Sequence, residues 1–256
     1  MKSYKGYLID LDGTMYRGKE KIEEACAFVR ALKEKDIPYL FVTNNSSRTP
    51  AQVADKLNQF NIPAAEEQVF TTSMATAQYI AEKKENARVY VIGEEGIQQA
   101  LLERGHELVD EHADFVVTGI DRGINYEKLA KGCIEIRNGA VFISTNGDIA
   151  IPTERGLLPG NGSLTSVLTV STTVQPLFIG KPEAIIMEQA LKVIGTAKED
   201  TLMIGDNYDT DIMAGMNTGL DTLLVHTGVT TVELLGGYEK KPTYTAHSLT
   251  EWLPYI

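Results

Sequence analysis

Asp10 and Asp12 stand one residue apart at the end of the first apolar run, Tyr7-Leu8-Ile9-Asp10-Leu11-Asp12-Gly13-Thr14. Carboxylates that close repel each other, and a divalent metal, a shared proton or a nearby cation would each compensate. A second acidic segment, Gly205-Asp206-Asn207-Tyr208-Asp209-Thr210-Asp211-Ile212, also follows an apolar run. Between them lie Thr43-Asn44-Asn45, at the end of another such run, and Lys181 in Ile179-Gly180-Lys181-Pro182. Singly, each has an ordinary explanation. Aspartates after strands form turns or cap helices, Thr-Asn-Asn suits a helix start, and Gly-Lys-Pro suits a surface turn. Together they assemble a chemistry. Three acids can hold a hard cation such as Mg²⁺, a lysine and a hydroxyl can hold phosphate oxygens, and a carboxylate oxygen can attack phosphorus.

Two other phosphate or metal motifs do not apply. The segment from Asp206 to Asp211 lacks the glycine and distal glutamate of a calcium-binding EF-hand loop, and Gly180-Lys181 lacks the upstream glycine and following Ser/Thr of a P-loop. His106, His112, His226 and His247 are scattered, and none is assigned to catalysis.

The elements that must position these groups alternate between short apolar runs and amphipathic stretches, the pattern of an α/β sheet with crossover helices. Strands are expected at Gly6 to Ile9, Pro38 to Thr43, Val69-Phe70, Arg88 to Ile92, Phe115 to Thr118, Val141 to Ser144, Thr201 to Ile204 and Thr222 to Val225. Helices are expected at Ile22 to Lys35, from Pro50, and over Met74 to Lys84, Glu95 to Arg104, Tyr126 to Arg137, Ala184 to Ile194 and Thr210 to Met216. In an open α/β sheet, ligands bind at the carboxyl ends of strands, and the four segments fall there or in adjoining loops. The charged stretch Lys83-Lys84-Glu85-Asn86 marks a change of character, the middle segment ends near Pro176 to Gly180, and the first rhythm resumes from Glu183. This predicts a discontinuous core, 1–80 plus 181–256, around an inserted α/β domain at 81–180. One continuous doubly wound sheet is the alternative. Trp252 and Tyr255 read as core or docking residues.

The net charge of −11 argues against general nucleic-acid binding, which needs a basic face. No apolar run approaches the ~20 residues of a membrane span, and the N-terminus lacks the pattern of a signal peptide. The two cysteines, Cys26 and Cys133, read as free thiols of a cytoplasmic protein.

Asp-Leu-Asp-Gly-Thr, strand-end Thr43, Gly-Lys-Pro and Gly-Asp-Asn-x-x-Thr-Asp-Ile occur in the order of the four motifs of the haloacid dehalogenase (HAD) superfamily, which the chain resembles over nearly its whole length. The insertion between the second and third motifs resembles the α/β cap of the NagD-like, p-nitrophenyl phosphatase-like branch (subfamily IIA). Thr43 to Ser47, Thr145-Asn146-x-Asp148, Pro152-Thr153-Glu154 and Pro159-Gly160-Asn161-Gly162-Ser163 look like that branch. The resemblance implies a Rossmann-like parallel core and a Mg²⁺-dependent phosphatase acting on small phosphomonoesters through an aspartyl-phosphate.

By the same resemblance, Asp10 is the nucleophile and Asp12 the general acid and then base. Mg²⁺ is held by the Asp10 carboxylate, the Asp12 backbone carbonyl and Asp206. Asp211 and Asn207 support the site, with Asp211 orienting it or bonding metal-bound water. Thr43, Asn44, Asn45 and Lys181 bind the phosphoryl group, and Lys181 also offsets the crowded carboxylates. The cap closes over the site and chooses the substrate, with Asn146 and Asp148 facing the leaving group. A turn at a strand end is the plain alternative for these two. Gly160 to Ser163 reads as a helix start, with anion binding through its backbone as the other reading. A homodimer through the cap occurs in the resembling families. A phosphotransferase on the same fold and a non-catalytic phosphate-binding regulator are the competing functions. A dehalogenase needs neither the second acid nor the metal.

Overall fold

The computed structural model describes residues 2–153 and 155–256. Glu154, the last residue of the Pro152-Thr153-Glu154 motif, lies outside the described residues. Contacts divide the chain into two units, one formed by Met1–Thr43, Pro50–Phe70 and Lys181–Ile256, the other by Asn44–Thr49 and Thr71–Gly180. Each unit has its own parallel sheet, so a single continuous doubly wound sheet does not form.

The first unit is built on a six-stranded sheet. Its order is Tyr244–Ala246, Asp221–Val225, Thr201–Gly205, Gly6–Ile9, Tyr39–Thr43 and Val69–Thr71. Gly6–Ile9 lies between its two parallel neighbours, with Ile9 level with Ile204 on one side and Phe41 on the other. All four of its residues are buried, as expected for a strand covered on both faces. The chain runs outward from this strand in opposite directions on its two sides, which creates a switch point at the carboxyl ends of Gly6–Ile9 and Thr201–Gly205.

Helix Glu23–Glu34 covers one face of this sheet with Ala25, Cys26, Phe28, Val29 and Leu32. Glu23 and Glu24 in its first turn and Lys33 in its last complement the helix dipole. Phe28, Phe41, Leu57, Ile204 and Trp252 share the main core. Trp252 is buried beside the Tyr244 ring, with centroids 4.9 Å apart, whereas Tyr255 stays exposed.

One expected helix differs in detail. In place of a regular start at Thr210, Tyr208–Ile212 forms a π-helical turn that leads into helix Met213–Thr218. The Asn207 carbonyl accepts from the N–H groups of both Asp211 (2.9 Å) and Ile212 (3.3 Å), and the wider turn results. Asn207 Oδ1 begins it by accepting the Asp209 N–H at 3.0 Å.

The second unit has a five-stranded parallel sheet, ordered Leu177–Phe178, Val141–Ser144, Phe115–Thr118, Arg88–Ile92 and Glu107–Leu108. Tyr90, Ile92, Val116, Ile136, Phe142 and Leu168 fill a core beneath helices Tyr126–Arg137 and Asn161–Thr172. The latter helix begins at Asn161 with Gly160 as its N-cap, so this glycine-rich segment does start a helix. Helix Thr72–Lys83 packs on helix Glu95–Glu103. The contact boundary therefore falls at Thr71, not at the charged stretch Lys83 to Asn86. Buried His106 pins this region, accepting the Ala87 N–H at Nδ1 (3.2 Å) and bonding the Ala77 carbonyl through Nε2 (3.1 Å).

Candidate active site

Asp10 is the first residue past strand Gly6–Ile9, and Asp206 the first past the adjacent strand Thr201–Gly205. The parallel register carries both carboxylates to the same end of the sheet. Asp211 arrives from the π-helical turn and is held in place by the Asn207 N–H, which donates to Asp211 Oδ2 at 3.1 Å. Carboxylate oxygens of Asp10, Asp206 and Asp211 lie within 4.8 Å of one another. These side chains belong to residues that are 8%, 1% and 1% exposed, so water screens them little.

Lys181 supplies the balancing cation. Its Nζ lies 2.5 Å from Asp10 Oδ1 and 2.6 Å from Asp211 Oδ1, and donates to the Val42 carbonyl at 3.2 Å. Asp206 is held from other directions. The Val229 N–H donates to its Oδ2 at 2.7 Å, and the Thr14 hydroxyl to its Oδ1 at 3.3 Å.

The electrostatics follow from burial and crowding. Burial pushes the Asp10 carboxyl well above the usual carboxylate range, Asp211 and Asp206 push it further, and Lys181 opposes them. Burial and then Asp211 push Asp206 up to about 6, against the Val229 N–H and Lys181. For Lys181, burial favours the neutral amine, but Asp10 and Asp211 outweigh it and raise its pKa, so the ammonium stays charged. One ammonium against three buried carboxylates leaves an uncompensated negative charge.

That donor set fits a hard divalent cation, which prefers several oxygen ligands. The backbone around it is also shaped for close approach. A Cβ on Gly13, whose φ is +91°, would lie 2.3 Å from Asp206 Oδ2, and one on Gly228 would lie 2.0 Å away. Glycine at both positions lets the two loops close on Asp206.

The other expected site residues are placed as follows. Asp12 is exposed, and the strand ends at Ile9, so alternation along a strand does not relate it to Asp10. It lies instead in a tight turn closed by the Gly13 N–H, which donates to the Tyr16 carbonyl at 2.7 Å. The carboxylates that meet are thus Asp10, Asp206 and Asp211, while the ligand expected from Asp12 is its backbone carbonyl. Thr43 is the buried last residue of strand Tyr39–Thr43, next to the Asp10 strand. Asn44, Asn45, Asn146 and Asp148 belong to the second unit. There the Asn146 side chain donates to the Asn44 carbonyl at 2.8 Å, and Asn44 Nδ2 donates to the Asp148 carboxylate at 3.3 Å. Asn45 Oδ1 caps the following turn, accepting the N–H groups of Ser47 (3.1 Å) and Arg48 (2.9 Å).

Sequence reasoning missed Thr14, Thr227, Gly228 and Val229. The Thr227 hydroxyl donates to the Gly13 carbonyl at 2.6 Å and ties the two loops around Asp206. The available signal was the position of Thr227-Gly228-Val229 just past strand Asp221–Val225, at the same end of the sheet.

The sequence matches the family Haloacid dehalogenase-like hydrolase over residues 7–107 and the family HAD-hydrolase-like over residues 178–252. This chain belongs to the HAD superfamily of hydrolases. It is similar to the 5'-nucleotidase YutF of Bacillus subtilis, with 74% identity over 256 residues that cover 100% of both chains. It is also similar to the acid sugar phosphatase of Staphylococcus aureus, 53% identical over 252 residues, covering 98% of this chain and 97% of that one. Among solved structures, a p-nitrophenyl phosphatase from Archaeoglobus fulgidus superposes with a TM-score of 0.94 at 35% identity, covering 100% of each chain.

Proposed function

We propose that this protein is a Mg²⁺-dependent phosphatase that hydrolyses small phosphomonoesters through a phosphorylated Asp10. The observation that carries the reading is the buried cluster of Asp10, Asp206 and Asp211 around Lys181, at the carboxyl ends of adjacent parallel strands. The similarity to a 5'-nucleotidase and an acid sugar phosphatase supports nucleoside monophosphates and sugar phosphates as substrates.

Each residue has a task. Lys181 engages Asp10 Oδ1, so Oδ2 is the oxygen left to attack phosphorus. As that bond forms, the bond from phosphorus to the leaving oxygen breaks, and Asp12 gives the departing alkoxide its proton. Asp12 then takes a proton from water as the water attacks phosphorus, the bond to Asp10 breaks, and phosphate leaves. Exposure at Asp12 suits a group that exchanges protons with solvent between turnovers. Thr43, Lys181 and the Asn44 amide hold the equatorial oxygens. Most of the acceleration comes from such positioning and charge stabilisation.

Asp10, Asp206 and the Asp12 carbonyl would hold the Mg²⁺, with Asp211 and Asn207 in support; when bound, the ion neutralises the phosphate and the crowded acids. The inserted unit acts as the substrate-selecting cap in this reading. A homodimer is also part of it, supported by large exposed apolar side chains on that unit such as Ile134 and Val170. Among the described residues no helix is long and apolar enough to cross a membrane. Two free cysteines support a cytoplasmic setting.

The test is hydrolysis of p-nitrophenyl phosphate with Mg²⁺ and with chelator, followed by a panel of nucleoside monophosphates and sugar phosphates ranked by kcat/KM. Turnover that persists undiminished in chelator, or in Asp10→Asn, removes the mechanism.

A further inference from the structure

The six residues after Thr43 make their contacts with the second unit. Ser46 Oγ accepts the Ile120 N–H at 3.0 Å, and its carbonyl accepts the Ser73 hydroxyl at 3.1 Å. The Ser47 carbonyl accepts the Gly96 N–H at 3.1 Å. Asn44 itself is gripped from the loop that follows strand Val141–Ser144. Asn146 Nδ2 donates to the Asn44 carbonyl at 2.8 Å, while Asn146 Oδ1 accepts the Asp148 N–H at 3.1 Å.

The same short loop holds a second stretch of chain. The Gly180 N–H donates to the Thr145 carbonyl at 2.8 Å. A Cβ on Gly180 would lie 2.6 Å from both Asn44 Oδ1 and the Thr145 carbonyl, so only glycine lets these three segments meet. Thr145 and Asn146 therefore fasten the chain neighbours of two separate residues: Asn44 follows Thr43, and Gly180 precedes Lys181.

Behind the loop stands Asn161, 1% exposed, at the first position of its helix. Its Nδ2 lies within hydrogen-bond distance of the Asn146 carbonyl (3.0 Å), Ser144 Oγ (3.0 Å) and Thr145 Oγ1 (3.2 Å). The Ser144 hydroxyl adds a bond to the Asn146 carbonyl at 2.9 Å. Asn146 is itself buried, and both ends of its amide bond the chain. A side chain that reads a leaving group needs free polar atoms facing solvent, and Asn146 has little of either.

We infer that Asn146, braced by Asn161, is a positioning residue for phosphoryl transfer: its side chain holds the Asn44 backbone and through it Thr43, while the carbonyl of the adjacent Thr145 holds the Gly180 N–H that precedes Lys181. This rests on the phosphatase reading above. Its consequence is specific. A loosened clamp perturbs the handling of the phosphoryl group, which all substrates share, and leaves discrimination among leaving groups alone.

The experiment compares wild type with Asn146→Ala and with Asn146→Asp, which keeps the shape and removes the donor. The measurements are kcat and KM for p-nitrophenyl phosphate, a nucleoside 5'-monophosphate and a hexose phosphate, the inhibition constant of inorganic phosphate, and hydrogen exchange over residues 44–49. A misplacement of about 1 Å costs up to about 10²-fold in rate. The expected result is a loss of kcat of roughly that order, equal for the three esters, with weaker phosphate inhibition and faster exchange at 44–49. A loss confined to one ester with phosphate inhibition unchanged makes Asn146 a reader of the leaving group and overturns the proposal, as does unchanged kinetics in both variants. If the wild type hydrolyses none of the esters, the phosphatase reading fails on its own. Calorimetric binding of inorganic phosphate then judges the clamp, and equal affinity in wild type and variants overturns it.

Discussion

Lys181 reaches across 171 positions of sequence to place its ammonium 2.5 Å from Asp10 Oδ1. The same nitrogen bonds Asp211 at 2.6 Å, so one cation sits between the proposed nucleophile and a supporting acid. Both contacts are buried, and each charge depends on the others to remain there.

Removing that cation is expected to be costly. Lys181→Met leaves Asp10 and Asp211 facing each other without their shared cation, and breaking a buried pair costs about 3–5 kcal/mol. Urea unfolding in chelator measures this loss. Adding Asp211→Asn to Lys181→Met should recover part of the stability and none of the activity. Recovery of turnover in the double variant would contradict the phosphate-binding role proposed for Lys181.

Asp10→Asn keeps the shape of the side chain and removes the proposed nucleophile. Turnover should fall by at least about 10³-fold, the scale seen when a group acting in covalent catalysis is lost. Lys181 retains Asp211 and the Val42 carbonyl, so circular dichroism and the unfolding midpoint should show a folded protein.

Metal binding should register as stability. A ligand at 100 times its Kd stabilises by about 2.7 kcal/mol, so saturating Mg²⁺ should raise Tm relative to chelator. Asp206→Asn should shrink that rise. Gly13→Ala should shrink it too, because its Cβ would lie 2.3 Å from Asp206 Oδ2 and its φ of +91° suits glycine alone. The backbone strain adds about 1–3 kcal/mol of destabilisation. A full Mg²⁺-induced shift in Gly13→Ala would show that Asp206 need not be held so tightly.

The pH dependence without metal has a definite sign. Asp206 is raised from 3.8 to about 6 in the folded protein, so the folded state binds this proton more tightly than the unfolded chain. Its contribution is fully present below the unfolded value and is lost as pH rises through about 6. In chelator, Asp206→Asn should therefore be more stabilising relative to wild type at pH 7 than at pH 4.5. Thermal melts of both proteins across this range measure the difference, and a constant difference would refute the assignment.

Much of the site was legible because its groups sit where chain patterns change. Asp10 and Asp206 each follow an apolar run that a parallel sheet buries, and strand ends are where such sheets bind ligands. Thr227 to Val229 was equally available by that rule, but no acid or lysine drew attention to it. The short paired segments, such as Tyr16–Arg17 with Glu20–Lys21, carry too few residues to show a period. The π-helical turn at Tyr208–Ile212 was hidden for another reason. Its sequence suits an ordinary helix start, and only the competing bonds to the Asn207 carbonyl widen it.

By itself the sequence determined the alternation of strands and helices, the insertion of one α/β segment within another, and the residue types proposed for phosphoryl transfer. These depend on local periodicity and on chemistry that a residue carries wherever it stands. Only the tertiary structure decided that Asp211 joins Asp10 and Asp206 around Lys181 while the Asp12 side chain stays exposed. It also decided that Asn44 and Gly180 meet at Asn146. Strand register and loop closure bring these groups together across more than a hundred residues, and no local pattern records which partners will share a buried space.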